Sequence, residues 1–216
     1  MSKKTKIIVI RHGESLGNAN RQMLGHTDLD LSEHGRLQAM TTAMHLKDEK
    51  IDKIYSSDLK RAFSTAIEHA KLRNMEVIPD KQLRELYLGD WEGLTVFEIL
   101  DKYGDMYRVE WHGDFGHYTF PGGENVMSGG RRFHSEVQRI AEACPGETIL
   151  IVAHAAVIRA FWSIIMEIDP SDIPEKLPFP SNGSYSVAYF EDGKFSHESY
   201  SNDAHLEAIG VTNVFK

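Results

Sequence analysis

The most apolar stretches of the chain are short, and two of them end in the same way. Ile7-Ile8-Val9-Ile10 is an unbroken run rich in β-branched side chains, and Thr148-Ile149-Leu150-Ile151-Val152-Ala153 is a second. Runs that show no polar alternation predict strands buried on both faces. Each leads straight into a histidine, the first through Arg11-His12-Gly13 and the second at His154. Weaker strands follow from Ile51 to Tyr55 and from Glu76 to Pro79. Ser184 to Phe190 with Phe195 to Tyr200 reads as a hairpin turning at Asp192-Gly193. Between the strands the spacing becomes helical. Ser32 is the predicted N-cap of a helix running to about Lys47, on which Leu37, Met40, Met44 and the pair Ala39/Ala43 recur as the apolar positions. A second helix runs from Leu59 to about Leu72 with one face formed by Ala62, Ala66 and His69 or Ala70, and it carries Arg61 in its first turn. Glu124 to Ala143 forms a third, weakened where Gly129-Gly130 costs roughly 1 kcal/mol per glycine relative to alanine. Ala155 to Met166 is an apolar helix. Leu16 to Leu31 reads as a long loop and Pro170 to Pro180 as a proline-punctuated crossing.

Strands alternating with helices predict an α/β fold, a sheet covered on both faces, and the terminal hairpin makes that sheet mixed. No linker interrupts the chain, so residues 1–216 are expected to form a single domain. Within it, about 91–125 is an aromatic-rich excursion holding Trp91, Phe97, Tyr103, Tyr107, Trp111, Phe115, Tyr118 and Phe120 among glycines. It reads as largely helical with an aromatic loop. Trp111, Phe115, His117, Tyr118 and Phe120 could line a substrate pocket or pack an accessory lobe.

Composition narrows the partners. Hydrophobic residues at 41% and charged residues at 26% of the 216 are ordinary for a folded chain. The net charge of −8, with no basic stripe, argues against nucleic acid and against anionic membranes. Behind the basic start, the run Ile7 to Ile10 is too short for a signal-peptide core or a membrane span. A lone cysteine, Cys144, rules out an internal disulfide, and a cytoplasmic location is expected. None of the eleven histidines shows the H-E-x-x-H spacing, so neither a metal nor another cofactor is expected.

Open α/β sheets bind ligands at the carboxyl ends of their strands, which is where His12 and His154 stand. Gly13 permits a sharp turn and a close backbone approach. Arg11, beside the first histidine, and Arg61, at a helix start, offer planar forks that grip phosphate oxygens. Helix amino termini near His154 and Arg61 would add N–H donors. A histidine among such cations stays neutral and nucleophilic, so His12 could attack phosphorus without a metal. Glu85, on a turn, is the natural donor of a proton to the leaving oxygen, or else an ion-pair partner of Arg84.

The stretch Arg11-His12-Gly13-Glu14-Ser15 resembles the opening motif of the histidine phosphatase superfamily, also called phosphoglycerate mutase-like. Further matches follow in order: Leu31-Ser32-Glu33-His34-Gly35 with Gln38-Ala39, Ser57-Asp58-Leu59-Lys60-Arg61-Ala62 with Thr65-Ala66, Leu83-Arg84-Glu85, Gly89-Asp90-Trp91-Glu92-Gly93, and Val152-Ala153-His154. Together they are specific, whereas each alone is weak. The resemblance implies a three-layer α/β/α sandwich around a mostly parallel mixed sheet. It implies a phosphohistidine on His12, phosphoryl binding by Arg11, Arg61, His154 and Asn18, and Glu85 as general acid and then base. This chain departs from the family in placing Leu24, where many members have glutamine, before Gly25, with Gln22 two places early and unassigned to the site. Ala155 and Ala156 replace the usual glycines after the second histidine, where a left-handed backbone would be costly. Leu86 and Leu88 stand where the mutase branch carries an arginine and a tyrosine. The expected activity is therefore hydrolysis of a small phosphorylated metabolite, with a bisphosphoglycerate-dependent mutase as the runner-up and a non-catalytic phosphate-binding module as the rival from another class. The substrate and the oligomeric state stay open.

Overall fold

A computed structural model of the chain describes residues 3–104, 106–111 and 113–213, with the backbone alone at 108–110. The apolar runs become the centre of one six-stranded sheet of order β3-β2-β4-β1-β5-β6. Its strands are β1 (Thr5–Arg11), β2 (Lys53–Ser56), β3 (Val77–Pro79), β4 (Thr148–Ala153), β5 (Tyr185–Glu191) and β6 (Lys194–Asn202). β1 pairs parallel with β4 and antiparallel with β5, while β2 lies parallel to both β3 and β4. The sheet is thus mixed and mostly parallel. The β5–β6 turn has φ of 51° at Asp192 and 77° at Gly193, the pair of positive values a two-residue hairpin with the right twist requires.

Seven helices flank the strands among the described residues: α1 (Leu16–Ala19), α2 (Glu33–His45), α3 (Lys60–Arg73), α4 (Val96–Tyr103), α5 (Val126–Glu142), α6 (Ala155–Ile165) and α7 (Ile173–Lys176). Successive strand residues face opposite sides, and both sides are covered. Ile8, Ile10, Leu150 and Val152 pack with Ala62, Ala66 and Ala70 of α3. Ile7, Val9, Ile149 and Ile151 pack with Phe133 and Val137 of α5 and Val157 and Phe161 of α6. This is the expected three-layer α/β/α sandwich, and double burial is why the central strands read as unbroken apolar runs. Among the described residues no helix is long and apolar enough to cross a membrane.

On α2 the expected core face is corrected. Ser32 caps the helix as predicted, accepting from the Gly35 N–H. The buried face, however, is Gly35, Gln38, Ala39, Thr42 and Ala43, while Leu37, Met40 and Met44 are 44, 52 and 52% exposed. Polar residues are buried there because the fold supplies partners for them. Gln38 Oε1 accepts from the Glu14 N–H at 2.8 Å, its Nε2 donates to Thr212 Oγ1 at 2.9 Å, and Thr42 Oγ1 donates to the Gly183 carbonyl at 2.9 Å.

The glycine pair of α5 also has a tertiary cause. A Cβ on Gly129 would lie 2.1 Å from Leu86 Cδ2, and one on Gly130 would lie 2.6 Å from Ala160 Cβ, so both glycines serve close packing. The excursion forms α4 and a π-helical turn, Met106–Trp111. Its rings pack chiefly on one another: Trp91 meets Phe120 edge-on at 5.3 Å between centroids, and Trp111 lies 5.0 Å from both Phe115 and Phe120. His117 is exposed and paired with Asp114 at 2.8 Å. Of the five candidate pocket residues in this stretch, Trp111 lines a pocket and the other aromatics, Phe115, Tyr118 and Phe120, are buried in the lobe.

Candidate active site

Strand register brings the two histidines together. Arg11 pairs with Ala153 across β1 and β4, so the next residues, His12 and His154, leave the sheet side by side at the carboxyl ends of adjacent parallel strands. Their rings meet edge-on at 5.1 Å. Beyond His12 the Gly13 N–H donates to Thr65 Oγ1 at 3.1 Å. A Cβ on Gly13 would lie 2.2 Å from the Gly35 carbonyl oxygen, and one on Gly35 would lie 1.9 Å from that of Glu14. The glycines of the first two motifs therefore face each other, and their lack of side chains seats the start of α2 on the turn. Ser32 Oγ completes the junction by donating to Glu14 Oε1 at 2.6 Å.

His12 Nδ1 lies 2.6 Å from the Gly13 carbonyl oxygen. A carbonyl only accepts, so Nδ1 carries the proton and the lone pair of the neutral ring is on Nε2. Burial, followed by the charges of Arg61 and Arg11, holds the pKa of His12 well below the ordinary histidine range. Arg11 and Arg61 are each 2% exposed, and burial lowers both guanidinium pKa values to about 10, which leaves them cationic at neutral pH. Arg11 Nη1 donates to the Pro180 carbonyl at 2.6 Å; Arg61 donates to those of Thr27 at 2.9 Å and Gly25 at 2.7 Å.

Glu85 is held differently from the simplest expectation. Its carboxylate accepts from the N–H groups of Leu86 at 3.0 Å, Ala156 at 3.1 Å and Val157 at 3.1 Å. The donors at the start of α6, expected to be open to an anion, are thus occupied by this side chain, which suits the positive end of the helix dipole. Arg84 forms a two-pronged pair with Asp58, both contacts at 2.6 Å, so the alternative Glu85–Arg84 pair is not the one formed. Ala155 and Ala156 begin a right-handed helix and have no positive φ, so the expected backbone cost does not arise.

Arg11, His12, Asn18, Arg61 and Glu85 line one pocket together with Gln22, Met23, Leu24, Leu88 and Trp111. His154 is fully buried beside His12 and is not part of that lining; its Nε2 lies 2.8 Å from Ser57 Oγ. Burial, then Arg61 and His12, pushes its pKa well below the ordinary value. Asn18 Oδ1 accepts from the Ser15 N–H at 3.2 Å and from Asn182 Nδ2 at 3.2 Å. Gln22, left unassigned from sequence, does line the pocket, but its Nε2 is engaged by the Gly93 carbonyl at 3.0 Å.

Sequence reasoning missed two supporting residues. Asn182 is fully buried, and its Nδ2 also donates to the His12 carbonyl at 3.2 Å. Glu92 accepts from the N–H groups of His26 at 2.8 Å, Thr27 at 2.7 Å and Leu88 at 3.0 Å, holding the loop whose carbonyls receive Arg61. The matched stretch around Trp91 contained Glu92 but gave it no role, and Asn182 falls between the proline-punctuated crossing and the hairpin, outside every element and motif assigned from sequence.

Comparison with known proteins agrees with this geometry. The model of the histidine phosphatase superfamily (branch 1) matches residues 7–203. Phosphoglycerate mutase-like protein 4 of Arabidopsis thaliana is 37% identical over 209 residues, covering 95% of this chain and 88% of its own. Phosphoserine phosphatase 1 of Hydrogenobacter thermophilus is 35% identical over 188 residues, 87% of each chain. The solved structure of mycobacterial glucosyl-3-phosphoglycerate phosphatase with VO3 aligns with a TM-score of 0.84 at 28% identity, over 92% of this chain and 99% of that one. The matched region takes in both histidine-bearing strands and nearly all that packs on them, and the chain belongs to the histidine phosphatase superfamily.

Proposed function

We propose that this protein is a metal-independent phosphatase that hydrolyses a small phosphomonoester through a phosphohistidine on His12. The observation that carries the reading is the hydrogen bond from His12 Nδ1 to the Gly13 carbonyl, which directs the lone pair to Nε2 in a pocket shared with Arg11 and Arg61. In the first step Nε2 attacks phosphorus, the N–P bond forms, and the bond to the leaving oxygen breaks. Arg11, Arg61 and Asn18 hold the phosphoryl group, His154, buried against Ser57, supports the His12 ring from behind, and the arginines offset the charge that develops on the phosphoryl oxygens. Glu85 gives a proton to the leaving alcohol. In the second step Glu85 takes a proton from water, the water oxygen attacks phosphorus, and the N–P bond breaks to release phosphate.

Phosphatase-named relatives support hydrolysis over mutase chemistry, and so do two side chains. Leu86 packs against Gly129, and Leu88 lines the pocket, at the positions where the mutase branch carries an arginine and a tyrosine. A cytoplasmic setting belongs to the same reading, since the single cysteine, Cys144, is a buried free thiol. The test is phosphate release from p-nitrophenyl phosphate in EDTA by the wild type and His12→Ala. Turnover is expected to survive EDTA and to be lost in the variant. Turnover that EDTA abolishes, or that His12→Ala retains, would overturn the mechanism.

A further inference from the structure

We infer that the leaving group of the substrate is an uncharged alcohol with an apolar body, such as an arylmethyl or branched alkyl group. The inference rests on the phosphatase reading above and concerns the part of the same pocket that the phosphoryl group does not use. The lining divides by chemistry. Its ionisable side chains beside His12 are Arg11, Arg61 and Glu85, its neutral polar ones are Asn18 and Gln22, and its large apolar ones are Met23, Leu24, Leu88 and Trp111. Both arginines are assigned to the phosphoryl oxygens. A carboxylate on the leaving group would lose water against leucine and indole surfaces, which is unfavourable without a partner.

Leu24 and Leu88 are buried side chains of this lining that offer no hydrogen-bonding group to a polar leaving group. The nearby amide of Gln22 is already bonded to the Gly93 carbonyl at 3.0 Å. Trp111 is 1% exposed and wedged between Phe115 and Phe120, each 5.0 Å away, so its ring is held in place before any ligand arrives.

The test compares kcat/KM of the full chain for benzyl phosphate, O-phosphoserine and 3-phosphoglycerate, with p-nitrophenyl phosphate as the reference. The three test esters all release an alkoxide oxygen, so apolar character and charge are the main variables. Benzyl phosphate is expected to exceed both charged esters by roughly tenfold or more, the scale set by a few apolar contacts. Leu24→Gln and Leu88→Gln should each narrow that ratio severalfold, with the inhibition constant of inorganic phosphate held within about twofold as the check on folding. A wild-type ratio near one or reversed, with p-nitrophenyl phosphate still hydrolysed, overturns this inference alone, as does a ratio that neither variant moves. Failure of the wild type on p-nitrophenyl phosphate and on every test ester overturns the phosphatase reading and this inference with it.

Discussion

At the scale of single residues, the decisive group is an imidazole whose two nitrogens have different tasks. The Gly13 carbonyl fixes the tautomer of His12, and burial with two arginines disfavours its charged form. A lowered pKa means that the neutral, nucleophilic ring persists as pH falls through the ordinary histidine value near 6.5. An NMR titration of the His12 ring, assigned by its absence in His12→Ala, is expected to show no protonation step in that range; a step there would contradict the buried cationic setting. Replacing Arg61 with Gln should move the titration upward, since one like charge is removed. The histidines, arginines and Glu85 were legible because each follows a strand end, a helix start or a matched motif. Asn182 was not, because its bond to the His12 carbonyl spans 170 positions and depends on where β5 begins.

At the scale of elements, helical periodicity located α2, its cap and the buried pair Ala39/Ala43, but wrongly added Leu37, Met40 and Met44 to the core face. The chain offered large apolar residues at Leu37, Met40 and Met44 and small ones at Ala39 and Ala43, and the neighbouring backbone needed the small ones. Substituting Met40 with Lys is therefore expected to change stability by less than about 0.5 kcal/mol, as at other exposed sites. Ala39→Leu, which adds three carbons where exposure is 0%, should cost roughly 1–3 kcal/mol. Urea midpoints for the two variants would check this, and a larger loss in Met40→Lys than in Ala39→Leu would restore the original assignment. The same logic applies to α5, where glycines that weaken an isolated helix are what let it approach Leu86 and Ala160.

At the scale of the whole molecule, a sheet sealed on both faces buries histidines outside the site as well. His69 on α3 is 0% exposed, and burial, then Arg73 and His205, lowers its pKa to about 3. The unfolded chain takes up this proton near pH 6.5 while the folded one does not. Stability is thus unaffected by His69 above the unfolded value and falls as pH drops from about 6.5 toward 3, by up to about 1.4 kcal/mol per pH unit. His69→Leu is expected to lose less Tm than the wild type between about pH 7 and about pH 5; equal losses would show that His69 does not drive the acid sensitivity. The sequence by itself determined the central strands, the histidines at their ends, the Ser32 cap, the hairpin and the α/β class, because apolar runs, cap residues and turn dipeptides act within a few positions. Only the tertiary structure decided which face of α2 is covered, that Glu85 occupies the start of α6, that Trp111 alone of the candidate aromatics reaches the pocket, and that Gly13 and Gly35 must face each other. Those outcomes rest on strand register and on backbone approaches between segments far apart in the chain, which no local pattern encodes.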